Sequence, residues 1–182
     1  EPFFFRESQS SDNKSTYASI FLYFGIFGSF SVLAISLNLD IIKVVFLQNE
    51  AYWTGLHIVP ILLMASLFLG LYYNLSIWFK IMDKTYFGTI ISVSAAIITI
   101  VLNFVLIPII GYLGSAITTM FVYLYMCLFA YFAGQKHYPV NYNVGKIGFY
   151  LVLTVVLLLI GWNLNHSDKI ISQLLKEIPI LL

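Results

Sequence analysis

Apolar residues fill this chain in long unbroken runs, and the polar positions fall between the runs rather than alternating within them. Run length is therefore the informative signal: a helix that crosses a membrane needs about 20 mainly apolar residues. Five stretches meet that requirement, at about 17–39, 53–79 with Pro60 near its start, 86–109 ending at Pro108, 112–133, and 146–164. Residues 165–182 read as a loop and the start of a truncated sixth helix, begun near Ile170 and interrupted at Pro179. Residues 1–16 read as the cytoplasmic end of a preceding helix and its loop, so the chain is expected to be a piece of a longer one. Residues 41–47 are too short a run to span, and continue the first helix into the interface or form an interfacial turn.

Composition changes the solvent. Of 182 residues, 60% are hydrophobic, 18% aromatic and only 9% charged, against roughly 25% charged in a soluble domain. Mean hydropathy is +0.92. So little polar surface cannot cover a water-soluble core, and the expected fold is an all-α, polytopic transmembrane helical bundle whose partner is the lipid bilayer. None of the five spans carries Asp, Glu, Lys or Arg in its central portion, where a charge is costly. The scattered cations offer no footprint for a nucleic acid. Cys127 is alone, which excludes a disulfide framework and a cysteine metal site.

Charge fixes orientation. With loops assigned to alternate sides, Arg6, Lys14, Lys80, Lys84, Lys136 and Lys146 fall on one side, and Lys43 and Lys169 on the other. Cytoplasmic loops carry the excess of basic residues, which places residues 1–16, 80–85 and 135–145 in the cytoplasm. Tyr52, Trp53, Trp78, Tyr112, Tyr138, Tyr142 and Trp162 lie near helix ends, where amphipathic rings sit at headgroup level.

Between the third and fourth spans, Pro108 and the glycines Gly111 and Gly114 predict a tight reversal, because proline cannot extend the hydrogen-bond ladder and glycine tolerates positive φ. Gly111, Ser115 and Thr119 form a stripe of small residues for helix packing, and Ser92, Ala96 and Ile100 a weaker one. Asn74, Ser76, Ser94, Thr99, Asn103, Thr118 and Thr119 lie inside spans. Interhelical hydrogen bonds and a polar passage both satisfy such groups, and the sequence does not choose between them. His57, near the non-cytoplasmic end of the second span, is an interfacial histidine or a proton-coupling group. The histidines show no HExxH or Cys-His spacing, and no glycine-rich phosphate loop is present, so no enzyme chemistry, cofactor or metal is expected.

The stretch Leu102-Asn103 through Leu106-Ile107-Pro108, then Gly111-Tyr112-Leu113-Gly114-Ser115-Ala116, resembles the LN-x-x-LIP-x-x-G-x-x-G-A-A signature of bacterial polysaccharide and O-antigen flippases, members of the multidrug/oligosaccharidyl-lipid/polysaccharide exporter superfamily. Ser115 stands where that signature has Ala, and Thr118-Thr119 where Ala-Thr is usual. Gly70 to Ser76 leading into Lys80 to Thr85 resembles the turn before the hairpin, and Glu1 to Arg6 the cytoplasmic end of the eighth helix. The resemblance implies that the five spans are helices nine to thirteen, part of the C-terminal lobe of a two-lobe transporter whose N-terminal lobe belongs to the same longer chain. It further implies translocation of an undecaprenyl-pyrophosphate-linked oligosaccharide across the bacterial inner membrane by alternating access, for surface polysaccharide or lipopolysaccharide biosynthesis. Arg6 is the one candidate substrate-binding residue, placed for a bidentate contact to pyrophosphate or for a positive-inside anchor. An ion-coupled multidrug exporter of the same superfamily, a membrane-embedded transferase and a structural membrane subunit are the alternatives.

Overall fold

A computed structural model of the protein describes residues 13–39, 42 and 50–177, with the backbone alone described at 13, 50–52, 54 and 162–177. Among these residues the architecture is all-helical: α1 (Asn13–Leu37), a 3-10 segment (Glu50–Ile58), α2 (Val59–Leu75), the short α3 (Ile77–Ile81), α4 (Tyr86–Ile110), α5 (Tyr112–His137) and α6 (Val144–Glu177). Five helical stretches, Lys14–Leu37, Gly55–Ile81, Tyr86–Ile110, Tyr112–His137 and Val144–Gly161, are long and apolar enough to cross a membrane. The 25 residues of α4 extend about 37 Å, past a hydrocarbon layer of about 30 Å. The chain is a multi-pass membrane bundle.

Two expected spans differ in detail. The second lies close to its expected 53–79, at Gly55–Ile81, but is not one regular α-helix: α2 starts at Val59, with Pro60 in its first turn, and breaks at Ser76 before α3. Proline fits the first turn because the missing N–H has no intrahelical partner there anyway, so residues before it take the tighter 3-10 path. The expected loop at 165–169 is not present either, since α6 runs unbroken through Glu177. Polarity rises after Gly161, but neither glycine nor proline occurs between Gly161 and Pro179, and polar side chains alone do not stop a helix.

The helices pack in the order α6, α1, α2, α5, α4. Gly28 meets Leu67 and Gly70 meets Phe24, so α1 and α2 are antiparallel. Along α6, Ile147, Leu151, Thr154, Leu158 and Gly161 alternate at four and three residues, the heptad spacing of helices crossing at a shallow angle. Gly25 meets Ile147 and Leu37 meets Gly161, which makes α1 and α6 parallel neighbours. Leu71, Leu75, Trp78, Phe79, Ile91, Val122, Met126 and Ala130 fill the core between α2, α5 and α4. Outward faces are apolar: Phe27 on α1, Phe104 on α4 and Phe149 on α6 are 72%, 83% and 64% exposed, as lipid solvation requires.

The expected hairpin is present and tighter than a loop. Gly111 alone separates α4 from α5, with φ 61° and ψ −142°, and its N–H donates to the Ile107 carbonyl at 2.8 Å. A Cβ on Gly114 would lie 2.8 Å from the backbone carbon and oxygen of Leu106, so the helices touch backbone to backbone. The packing stripe of α5 is not Gly111, Ser115 and Thr119, which stay exposed or half-buried. It is Gly114, Thr118, Val122, Met126, Ala130 and Gly134, all buried and four residues apart. On α4 likewise, Ile91 and Ala95 are buried, while Ser92 and Ala96 are exposed.

Candidate functional site

One end of the bundle gathers the charge. Lys14 opens α1, Lys80 closes α3, Lys84 precedes α4, Lys136 ends α5 and Lys146 opens α6. The antiparallel α1–α2 and α4–α5 pairs and the parallel α1–α6 pair bring all five lysines to this end, the one that the sequence assigns to the cytoplasm.

Aromatic rings form a layer beneath them. His137 stacks on Trp78, with planes 4° apart and centroids at 5.5 Å, and meets Phe87 edge-on at 5.0 Å. Its Nδ1 lies 2.9 Å from the Ala133 carbonyl oxygen. Trp78, at 3% exposure, donates its indole N–H to the Ala130 carbonyl. The Lys14 ammonium sits 4.7 Å from the centroid of the Tyr138 ring, close enough for a cation–π contact. Tyr142 meets Phe21 and Tyr131, and Gln135 donates to the Val140 carbonyl at 2.7 Å, closing the connection from α5 to α6. Burial, with Tyr138, Tyr17 and Tyr131 nearby, pushes the Tyr142 phenol up from its ordinary value. Ammonium groups outside an amphipathic ring layer suit anionic headgroups and phosphates.

Asp83 adds a backbone device here. It has φ 54°, its N–H donates to Lys80, and the N–H of Lys84 reaches back to Phe79 at 2.7 Å. These are the two bonds of a Schellman cap, with aspartate where glycine is usual.

Within the spans, most polar side chains turn back on their own helix. Asn74 donates to the Gly70 carbonyl, Ser76 to Tyr73, Thr99 to Ala95, Thr119 to Ser115 and Thr154 to Tyr150. For these donors the helix's own carbonyls supply the partner, because an i−3 or i−4 carbonyl is always within reach in a helix. Ser94 is different: it donates to Ile91 and accepts from the Tyr125 hydroxyl at 3.0 Å, joining α4 to α5. Four buried atoms have no partner among the described residues: Ser29 Oγ, Ser36 Oγ, Asn103 Oδ1 and Thr118 Oγ1. His57 is exposed at the opposite end of the bundle, 5.5 Å from the Tyr112 ring centroid.

Arg6, the candidate contact to substrate, lies outside the described residues, as does Lys43. The aromatic layer places Trp78, Tyr138 and Tyr142 near helix ends as expected. The Trp78–His137 stack joins residues that sequence alone leaves unpaired; its only sequence signal was that both end apolar runs. No group of His, Cys, Asp and Glu able to hold a metal ion occurs among the described residues. No family model, no curated protein and no solved structure matches this chain.

Proposed function

We propose that this chain forms part of the C-terminal lobe of a bacterial lipid-linked oligosaccharide flippase. In this reading it helps move an undecaprenyl-pyrophosphate-linked glycan across the inner membrane by alternating access. What supports the reading is the hairpin from Leu102 to Ala116. Its asparagine, proline and two glycines resemble the flippase signature, and both glycines have a physical task, Gly111 in the turn and Gly114 at the backbone contact. The basic end with its aromatic layer is consistent with a cargo that carries phosphates, and Arg6 is proposed to meet the pyrophosphate.

Alternating access requires two bundles rocking around a shared site near the midplane, and five spans supply part of one. The full-length parent is therefore expected to restore surface polysaccharide to a flippase-null strain. Residues 1–182 alone should insert but not restore it. Complementation by residues 1–182 alone would overturn the two-lobe reading in favour of a small transporter assembling as a symmetric oligomer.

A further inference from the structure

The first turn of α6 lies deeper in the bundle than the ends of α1 and α5. Gly25 meets Ile147 and Gly161 meets Leu37, two contacts that fix the register of the parallel pair α1 and α6. Counted along each helix from these contacts at ~1.5 Å per residue, Lys146 stands about 12–15 Å nearer the middle of the membrane than Lys14. A third contact agrees: the Tyr142 ring, just ahead of α6, has its centroid 4.9 Å from that of Phe21, about two turns inside Lys14. Lys14 itself reaches the ring of Tyr138, beyond the end of α5. After α5 the chain therefore folds back into the bundle, with Val140 2% exposed, before α6 begins.

Lys146 falls within the stretch Val144–Gly161, which is long and apolar enough to cross a membrane. A charge at that level is expensive unless it snorkels or meets an opposite charge. The four-carbon stem of a lysine is too short to return the ammonium to the level of Lys14. Among the described residues the one acid at this end is Asp83, on the turn before α4, and α4 and α6 stand at opposite ends of the packing order. No described carboxylate is therefore placed to neutralise Lys146. The helix around it is also bare. Lys146 is exposed, a Cβ on Gly145 would meet nothing within 4 Å, and Phe149 and Leu153, one and two turns deeper on the same side, are 64% and 38% exposed. An unpaired ammonium at the head of a bare apolar face has the complement of an anionic lipid, a phosphate above an acyl chain.

We propose that the sunken start of α6 holds one anionic phospholipid of the adjoining leaflet, its phosphate on the Lys146 ammonium below the level of the surrounding headgroups and an acyl chain along Phe149 and Leu153. A helix whose apolar stretch starts late beside longer neighbours thins the bilayer locally, which lowers a headgroup to the lysine. Such a lipid is held whether or not the protein moves a glycan.

The test is a titration of the full-length protein in neutral detergent with phosphatidylglycerol and, separately, with phosphatidylcholine of the same acyl chains, read as apparent affinity from the rise in unfolding midpoint. Phosphatidylglycerol is expected to bind about fivefold more tightly, the worth of one lysine near an anionic headgroup. Lys146→Gln should abolish that preference and Lys146→Arg keep it. Lys14→Gln, at the outer level, should leave most of it in place. Equal affinity for the two lipids in the unsubstituted protein overturns the site. A preference lowered as much by Lys14→Gln as by Lys146→Gln also overturns it, and assigns the effect to the diffuse field of the five lysines. Native mass spectrometry of the unsubstituted protein gives a second reading that needs no variant: one phosphatidylglycerol retained where phosphatidylcholine is lost supports the site, and loss of both alike overturns it.

Discussion

The indole Nε1 of Trp78 donates to the carbonyl oxygen of Ala130 at 3.2 Å, across 52 residues of sequence. The bond ties the end of the broken second span to the last turns of α5, beneath the stacked ring of His137. It depends on a missing side chain, because a Cβ on Gly134 would lie 2.9 Å from that nitrogen.

Gly134→Ala is therefore expected to push the indole off its acceptor and cost about 1–2 kcal/mol, the loss of one buried hydrogen bond with some repacking. Helix content followed through a detergent unfolding titration measures it. Gly148, in α6, has open space where a Cβ would stand, so Gly148→Ala should instead raise stability by roughly 0.5–1 kcal/mol through helix propensity alone. A loss at Gly148 equal to that at Gly134 would remove the steric argument.

The hairpin glycines should rank in a definite order. At Gly111 the obstacle is conformational, since φ 61° and ψ −142° suit no L side chain but space is open around it. Gly111→Ala is expected to cost about 1–2 kcal/mol. At Gly114 the obstacle is the Leu106 backbone, which cannot rotate aside as a side chain does. Gly114→Ala should cost about 3 kcal/mol or more, or abolish accumulation in the membrane. The same titration ranks the two, and a milder effect at Gly114 would show that the helices separate freely.

Asp83 holds a cap position that glycine occupies without strain. Asp83→Gly should stabilise the α3–α4 connection by about 0.5–1 kcal/mol, and Asp83→Val should destabilise it by about 1 kcal/mol or more, because a β-branched residue resists φ near +54°. Thermal unfolding in detergent distinguishes them, and equal midpoints would mean that the Schellman bonds do not hold this turn.

Orientation can be read by labelling intact cells with an impermeant maleimide. In the Cys127→Ala background, a single cysteine at Tyr112, exposed at the sparsely charged end, is expected to label. Cysteines at Asp83 and Asn141, both exposed at the lysine-bearing end, should label only after lysis. The reverse pattern would overturn the cytoplasmic assignment of the basic end.

Arg6 separates its two roles by a conservative change. In the full-length parent, Arg6→Lys keeps a positive-inside anchor but loses the planar fork that grips a pyrophosphate. Loss of polysaccharide export at unchanged abundance is the expected outcome. Export at the parental level would retire Arg6 as a substrate contact.

The number and approximate place of the membrane-spanning helices are legible along the chain, because each must bury its own backbone polar groups over a fixed thickness of hydrocarbon, and that demand is written locally as an apolar run. So are the Pro108–Gly111 reversal, a matter of local φ and ψ, and the gathering of the lysines at one end. Which face of each helix lies inside depends on how the helices pack. Where nearly every residue is apolar, the sequence offers no amphipathic contrast to read, so the α5 stripe is Gly114–Thr118–Ala130–Gly134 rather than Gly111–Ser115–Thr119. The same holds for the polar side chains: a serine in a span looks alike whether it turns back on its own helix, as Ser76 does, or meets a neighbour, as Ser94 meets Tyr125. That choice belongs to the position of another helix, and the order α6, α1, α2, α5, α4 arises from contacts between residues far apart in the chain.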